Sequence, residues 1–202
     1  MLKFISNAMK KLSFTFLFLT LISYSQAQTT IWSDNFELSG VRPSSNNGGL
    51  GFPAYAYFQR TNGSDIDLSF SAYSGQEGSF FWAGEDHDGY LGLGNEIQEI
   101  TYTNINISGK TNLSFKGLFA ANNQAAAFEN SMLGHSHSDY IIVEYSIDGS
   151  SYQPIIQFYS NNNIASGINN KSLAEDTNND GIGDWNILTT NFTEFTKNIP
   201  GS

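Results

Sequence analysis

Residues 139–158, DYIIVEYSIDGSSYQPIIQF, decide the fold class. Alternate positions of the first half carry apolar side chains, the period of two expected for a strand with one buried face: Ile141, Val143, Tyr145 and Ile147. Asp148 and Gly149 tolerate the positive φ of a hairpin turn, and Pro154 stands where a return strand can begin without an N–H. The stretch therefore predicts a β-hairpin, and its apolar face requires a second sheet to cover it.

Further short segments combine strand patterns with turn signals between them. They are residues 30–37, 54–60, 65–73, 79–83, 99–107, 112–120, 185–189 and 192–199. Because helical periodicity is almost absent, we predict an all-β chain, an antiparallel β-sandwich whose long loops favour the jelly-roll type. We expect one domain over residues 28–202. A turn signal at Pro200 follows an apolar strand directly, which predicts that the sandwich lacks its closing strand or strands.

Residues 1–27 have the pattern of a secretory signal peptide. Lys3, Lys10 and Lys11 form a positive region, residues 12–22 form a short apolar region, and Ala27 ends a small-residue cleavage site. The apolar run is shorter than the about 20 residues that span a membrane. We therefore expect a secreted or cell-surface protein of a Gram-negative bacterium, with no transmembrane segment.

Charge and composition exclude several classes of function. The sequence has a net charge of −10, and removing the first 27 residues leaves six basic against 19 acidic residues, a net of −13. Such a surface repels nucleic acids and anionic membranes but favours divalent cations. Without cysteine, disulfides cannot stabilise the domain. No nucleophile motif, phosphate-binding glycine loop or distinct carboxylate pair is apparent, so we expect no enzymatic activity.

From residue 31 onward the sequence resembles the N-terminal jelly-roll modules of large proteins exported by the bacterial type IX secretion system. The matching segments are WSDNFE (32–37), GSFFWAGEDHDG (78–89), INISGKTNLSFKGLFAA (105–121), DYIIVEYSIDGSSY (139–152) and DTNNDGIGDW (176–185). The resemblance implies an extracellular β-sandwich, followed by further domains of the same polypeptide and a sorting tail.

Residues 176–184, DTNNDGIGD, match the first half of a calcium-binding loop. Side-chain oxygens of Asp176, Asn178 and Asp180 would converge on one ion, followed by the carbonyl of Ile182 and the carboxylate of Asp184. The loop is similar to those of thrombospondin type 3 repeats. The bidentate glutamate expected at position 12 is replaced by Ile187, so the loop needs an oxygen from another segment to bind tightly. A polar Asx-turn loop is the alternative interpretation.

Two other groups of residues are weaker metal candidates. Asp86 and Asp88 lie in an acidic loop, and a resemblance to jelly-roll carbohydrate-binding modules implies that they could share a structural calcium with Glu37. A solvated loop is the alternative. His135 and His137, followed by Asp139, could bind zinc or copper, but two exposed loop histidines are the simpler interpretation of the pattern.

Large aromatic residues beside the acidic loops are candidates for ligand binding. Trp82 and Tyr90 flank the 85–89 loop, and Trp185 follows the calcium-like loop directly. Exposed aromatic rings stack on sugars, while a buried ring would simply belong to the core. We predict a non-catalytic secreted module for adhesion or attachment to a polysaccharide or cell-surface glycan, with structural calcium. The alternatives are a ligand-free spacer, or the accessory domain of a hydrolase whose active site lies beyond residue 202.

Overall fold

The computed structural model confirms an all-β, antiparallel fold. It describes residues 28–39, 57–66, 72–85, 97–122, 128–162 and 172–201. The chain divides into two units, Met1–Ser33 and Asp34–Ser202. Residues 28–33, the described part of the first unit, contain no regular element, and the predicted signal peptide lies outside the described residues. Within the described residues of the second unit there are eight strands, one short 3₁₀ helix and no α-helix.

The predicted hairpin is confirmed, and it begins a four-stranded sheet. Strands β4 (Tyr140–Tyr145) and β5 (Gln153–Tyr159) pair antiparallel, and Asp148 and Gly149 take φ of 51° and 76° in the turn. Strands β6 (Ala174–Glu175) and β7 (Trp185–Ile187) extend the sheet in the order β4-β5-β6-β7. Among the strands that the structure describes, β7 is the last in this order and forms one edge of the sheet.

A two-stranded sheet packs onto this hairpin and supplies the cover that its apolar face requires. Strands β3 (Ser114–Phe119) and β8 (Thr193–Asn198) pair antiparallel. Phe158 of β5 is fully buried, and its ring centroid lies 5.1 Å from that of Phe119 and 5.0 Å from that of Phe195. Burying a phenylalanine side chain stabilises the fold by about 1.5 to 3 kcal/mol, so this aromatic contact is a main attachment between the two sheets.

A second, smaller core forms around strands β1 (Tyr57–Thr61) and β2 (Phe81–Glu85), which pair antiparallel. Tyr57, Ile66 and Phe81 are its buried members. The ring of Phe192, just before β8, lies 5.4 Å from the ring of Phe81. The chain entering β8 therefore contacts both cores.

Two predicted strands are wrong. The described residues of 30–37 and 99–107 form no strand apart from an isolated bridge position at residue 100. In the first segment the side chain of Asp34 accepts a hydrogen bond from Phe36 N, and Phe36 takes a φ of 63°. In the second, Asn104 takes a φ of 60°. Asp and Asn side chains offer the backbone local partners that compete with strand pairing, and apolar periodicity does not detect this competition.

Candidate functional site

The 176–184 loop connects β6 to β7; one backbone hydrogen bond attaches its first residue to β5, and another closes its base. Asp176 N donates to Gln157 O and Asp184 N donates to Glu175 O, each over 2.9 Å. The calcium-like segment therefore leaves the sheet and returns to it at neighbouring positions. Backbone hydrogen bonds at both ends of the loop hold it on the rigid sheet, and a binding loop requires such a support.

Asp176 organises the loop from inside. Asp176 is only 6% exposed. Its carboxylate accepts hydrogen bonds from the backbone N–H groups of three later residues. Oδ1 accepts from Asn179 N at 2.7 Å and Asp180 N at 3.3 Å, and Oδ2 accepts from Gly181 N at 2.9 Å. Positive φ at Asn179 and Gly181, 61° and 80°, turns these amides toward the carboxylate. These contacts are the side-chain-to-backbone hydrogen bonds of an Asx-turn loop.

Of the other predicted calcium ligands on this loop, Asn178, Asp180 and Asp184 are exposed and Ile182 is half-buried. Asp180 Oδ1 accepts from Ile182 N at 2.9 Å, and Asp180 Oδ2 accepts from the amide of Asn178 at 3.1 Å. Asp184 Oδ1 accepts from the hydroxyl of Thr177 at 2.8 Å. A carboxylate has about four acceptor sites, so these hydrogen bonds leave lone pairs for a cation.

The donor types fit calcium, but the described arrangement is not yet a coordination shell. Carboxylate and amide oxygens are the ligands that calcium prefers. Within the described ranges, however, no three His, Cys, Asp or Glu side chains are grouped so that they could hold a metal ion. Calcium binding would therefore require the exposed carboxylates of Asp180 and Asp184 to turn toward Asp176. Ile187 is exposed in β7 and supplies no side-chain oxygen.

A buried asparagine beneath the loop was not predicted from the sequence. Asn130 is 0% exposed, and its amide donates to Gly181 O at 2.8 Å and to Ser160 O at 2.6 Å. Its Oδ1 accepts from Met132 N at 2.9 Å and caps the 3₁₀ helix Ser131–Leu133. The residue thus connects three separate segments. An Asn before a short turn is a recognisable capping signal, but its contact with residue 181 has no local signature.

Glu37, the described member of the second metal candidate, has a structural role. Its Oε1 accepts the backbone N–H groups of Ser79 at 2.6 Å and Phe80 at 2.8 Å. These two hydrogen bonds hold the pKa of the Glu37 carboxyl below its usual value, because they favour the ionised form. Asp86 and Asp88 lie outside the described residues. The described contacts therefore explain Glu37 as an attachment of the 34–37 segment to the start of β2.

The aromatic candidates have different environments. Trp185 is 65% exposed at the end of the calcium-like loop. Trp82 is half-buried, and its ring packs against Phe36 and Phe58 with centroid distances of 6.1 and 5.3 Å. Trp82 therefore belongs to a small, half-buried aromatic group with Phe36 and Phe58, and it is a member of neither apolar core. Tyr90 lies outside the described residues.

The two histidines do not share a site in the structure. His135 is mostly buried, with Nδ1 3.8 Å from Glu129 Oε1. His137 is exposed, and its Nδ1 lies 3.1 Å from the hydroxyl of Ser136. Asp139 instead accepts a hydrogen bond from Glu129 N at 2.6 Å. The two rings therefore have separate partners, and the prediction of two exposed histidines holds for His137 but is wrong for His135.

An aromatic pair on the sheet face beside the loop was also missed. Tyr140 and Tyr159 are register partners on β4 and β5, and their ring centroids are 5.7 Å apart. Gln157, two residues before Tyr159 and therefore on the same face, donates to Asn179 Oδ1 at 2.8 Å. Burial raises the pKa of Tyr159 above its usual value, with a smaller effect from Tyr140. Polar and aromatic groups thus lie side by side against the 176–184 loop.

Comparison with known families, curated proteins and solved structures found no match. Across the described part of the chain, no helix is long and apolar enough to span a membrane.

Proposed function

We propose that this chain is a non-catalytic extracellular β-sandwich module that attaches to a polysaccharide or cell-surface glycan and is stabilised by calcium in the 176–184 loop. The observation that carries the proposal is the fold of this loop around the buried carboxylate of Asp176, with Trp185 exposed directly after it. Carboxylate and amide oxygens are ligands that a hard cation such as calcium prefers, and an exposed indole ring can stack on the apolar face of a sugar ring.

Calcium would act by binding the folded state. A ligand that binds only the folded chain stabilises it by about 2.7 kcal/mol at one hundred times its dissociation constant. Thermal unfolding in calcium and in EDTA measures this effect directly, and we expect a higher midpoint in calcium.

Asp180→Asn should reduce the difference between the two unfolding midpoints, because it weakens an exposed ligand. Asp148→Asn is the matched control, since it removes one charge in a hairpin turn where Asn also tolerates positive φ. Equal midpoints in calcium and EDTA would exclude calcium.

Glycan attachment is tested separately by retardation in gels that contain neutral or acidic polysaccharides. We expect Trp185→Ala to abolish retardation, because the variant removes an exposed ring without opening the core. Tyr152→Ala is the matched control, since Tyr152 is also exposed but lies near the hairpin turn. Retardation that both variants retain would exclude Trp185 as the platform. A complete lack of retardation in the unsubstituted protein would instead favour the spacer interpretation.

A further inference from the structure

The turn that follows β1 contains an Asn–Gly pair, a sequence in which a side chain can react with its own backbone. Asn62 is exposed, and Gly63 takes a φ of 88°. A bond between Gly63 N and Asn62 Cγ closes a five-membered ring, so covalent connectivity alone keeps the two atoms within reach of each other. Gly63 has no Cβ to shield its nitrogen. The pair therefore has a nucleophile and an electrophile in place, and its reactivity depends on the groups around it.

Ser64 supplies two hydrogen bonds to the electrophile. Its backbone N donates to Asn62 Oδ1 at 3.0 Å, and its hydroxyl donates to the same oxygen at 2.7 Å. Because Oδ1 is held beside Ser64 N, the Asn62 side chain lies along the backbone toward the Gly63 peptide group. Addition of a nucleophile to Cγ puts negative charge on Oδ1, and two donors aimed at that oxygen stabilise this charge.

Thr61 accepts a hydrogen bond from the nucleophile. Gly63 N donates to Thr61 Oγ1 at 2.8 Å, and the same hydroxyl donates to Asp65 Oδ1. Thr61 is only 1% exposed, whereas Asp65 is exposed. Asp65 therefore orients the hydroxyl with a lone pair toward the N–H of Gly63, and a proton that leaves Gly63 N has a path to a carboxylate.

We propose that Asn62 is a site of self-catalysed modification, converted in the folded protein to aspartate and isoaspartate with Thr61 and Ser64 as catalytic residues. Water is the only other reactant, and ammonia is released. The modification depends on neither calcium nor a glycan.

The reaction balances in two steps. In the first, Gly63 N attacks Asn62 Cγ, its proton passes to Thr61 Oγ1, and the hydroxyl proton of Thr61 passes to Asp65. The bond from Cγ to Nδ2 breaks, and water carries the proton from Asp65 to the departing Nδ2, which leaves as ammonia. In the second step, water opens the cyclic imide. Attack at Cγ gives aspartate and attack at the main-chain carbonyl carbon gives isoaspartate, in each case by breaking the bond from that carbon to Gly63 N. No electron is transferred to or from another molecule.

Both products change the turn that leads into the second apolar core. Each product carries a carboxyl group where Asn62 had a neutral amide. In isoaspartate the main chain runs through Cβ and Cγ, so the backbone is one carbon longer between β1 and the buried Ile66. We therefore expect the isoaspartate form to be less stable than the unmodified protein.

Peptide mapping of the purified protein, incubated at neutral pH and physiological temperature, measures the reaction. Each product is heavier than the asparagine form by the exchange of an amino group for a hydroxyl group, and fragmentation distinguishes isoaspartate from aspartate. Cleavage after Arg60 separates Asn62 from Asn47, which precedes the glycine of the other Asn–Gly pair in the sequence. The reference rate is that of Asn62 in the same chain unfolded in guanidinium chloride.

We expect Asn62 to react about tenfold faster in the folded protein than in the unfolded chain. This factor is smaller than the effect of such a donor in a water-excluded site, because Ser64 is exposed and water competes with its hydrogen bonds. An equal or lower rate in the folded protein would overturn the proposal.

Two pairs of variants test the catalytic residues. Ser64→Ala removes the hydroxyl, whereas Ser64→Thr retains one. Thr61→Val removes the acceptor of the Gly63 N–H, whereas Thr61→Ser retains it. We expect Ser64→Ala and Thr61→Val each to slow the reaction several-fold, and the two conservative variants to react at nearly the rate of the unsubstituted protein. Because Ser64 is exposed, its two variants test the proposal without any change to the core. Equal rates in the Ser64→Ala and Ser64→Thr variants would contradict it.

Discussion

Asn130 is expected to be among the residues on which stability depends most strongly, although it lies outside both apolar cores. Its side chain donates two hydrogen bonds to the carbonyl groups of Ser160 and Gly181 and accepts one from Met132 N. Asn130→Ala would leave two carbonyl groups without these donors and one helix end without its cap. Leaving a buried polar group unsatisfied costs about 1 to 3 kcal/mol, and losing a cap costs about 1 kcal/mol. Two unsatisfied carbonyl groups and the lost cap together predict a loss of about 3 to 7 kcal/mol.

A second substitution at the same position separates the two roles. Asn130→Asp retains an oxygen that can cap Met132 N, but it replaces the two N–H donors with an acceptor that faces two carbonyl oxygens. We expect Asn130→Asp to destabilise the fold at least as much as Asn130→Ala at neutral pH, because the buried carboxylate is then charged and lacks a cationic partner. Protonation of this carboxyl at acidic pH should recover part of the loss.

Equilibrium unfolding in urea, followed by circular dichroism, measures both effects. The midpoint multiplied by the slope gives the free energy of unfolding, and an unchanged slope shows that the denatured state is comparable. Asn198→Ala is the matched control, because Asn198 is exposed at the end of β8, where a substitution changes stability by less than about 0.5 kcal/mol. If Asn130→Asp were as stable as the unsubstituted protein, the two donated hydrogen bonds would not support the loop, and the reasoning would be refuted.

Three further substitutions test the packing and the N-terminal attachment. Phe158→Ala should cost about 3 to 5 kcal/mol in the same urea assay, because it opens a cavity between the two sheets. Gly183→Ala should prevent stable folding, measured by the loss of a cooperative transition, because its Cβ would lie 2.1 Å from the backbone oxygen of Tyr159. The ionised Glu37 carboxylate contributes to the free energy of unfolding above the usual carboxyl pKa, and this contribution disappears as pH falls through the lowered pKa of the folded state. Glu37→Gln should remove the contribution. Stability curves of Glu37→Gln and the unsubstituted protein should therefore converge at acidic pH, and parallel curves would contradict the assignment.

The sequence predicted those features whose physical causes are local. Alternating apolar residues and the Asp148–Gly149 turn were sufficient for the β4–β5 hairpin, because both signals act within a few residues. The fold of the 176–184 loop was likewise visible as a pattern of Asp, Asn and Gly residues, since Asp176 bonds amides only three to five residues away. Strand patterns failed where Asp34 and Asn104 favoured other backbone conformations.

The tertiary structure decided which side chains meet across the chain. Strand β6 has only two residues, too few to show an alternating pattern, and it is a strand because it pairs with β5 and β7. Trp82 and Trp185 look alike in the sequence, but contacts with the rings of Phe36 and Phe58 half-bury Trp82, whereas Trp185 is exposed. The contacts of Glu175 with Asn186 and Lys197 join residues that are 11 and 22 positions apart. Sequence periodicity describes which face of an element is apolar, whereas these contacts depend on how separate elements are placed in space.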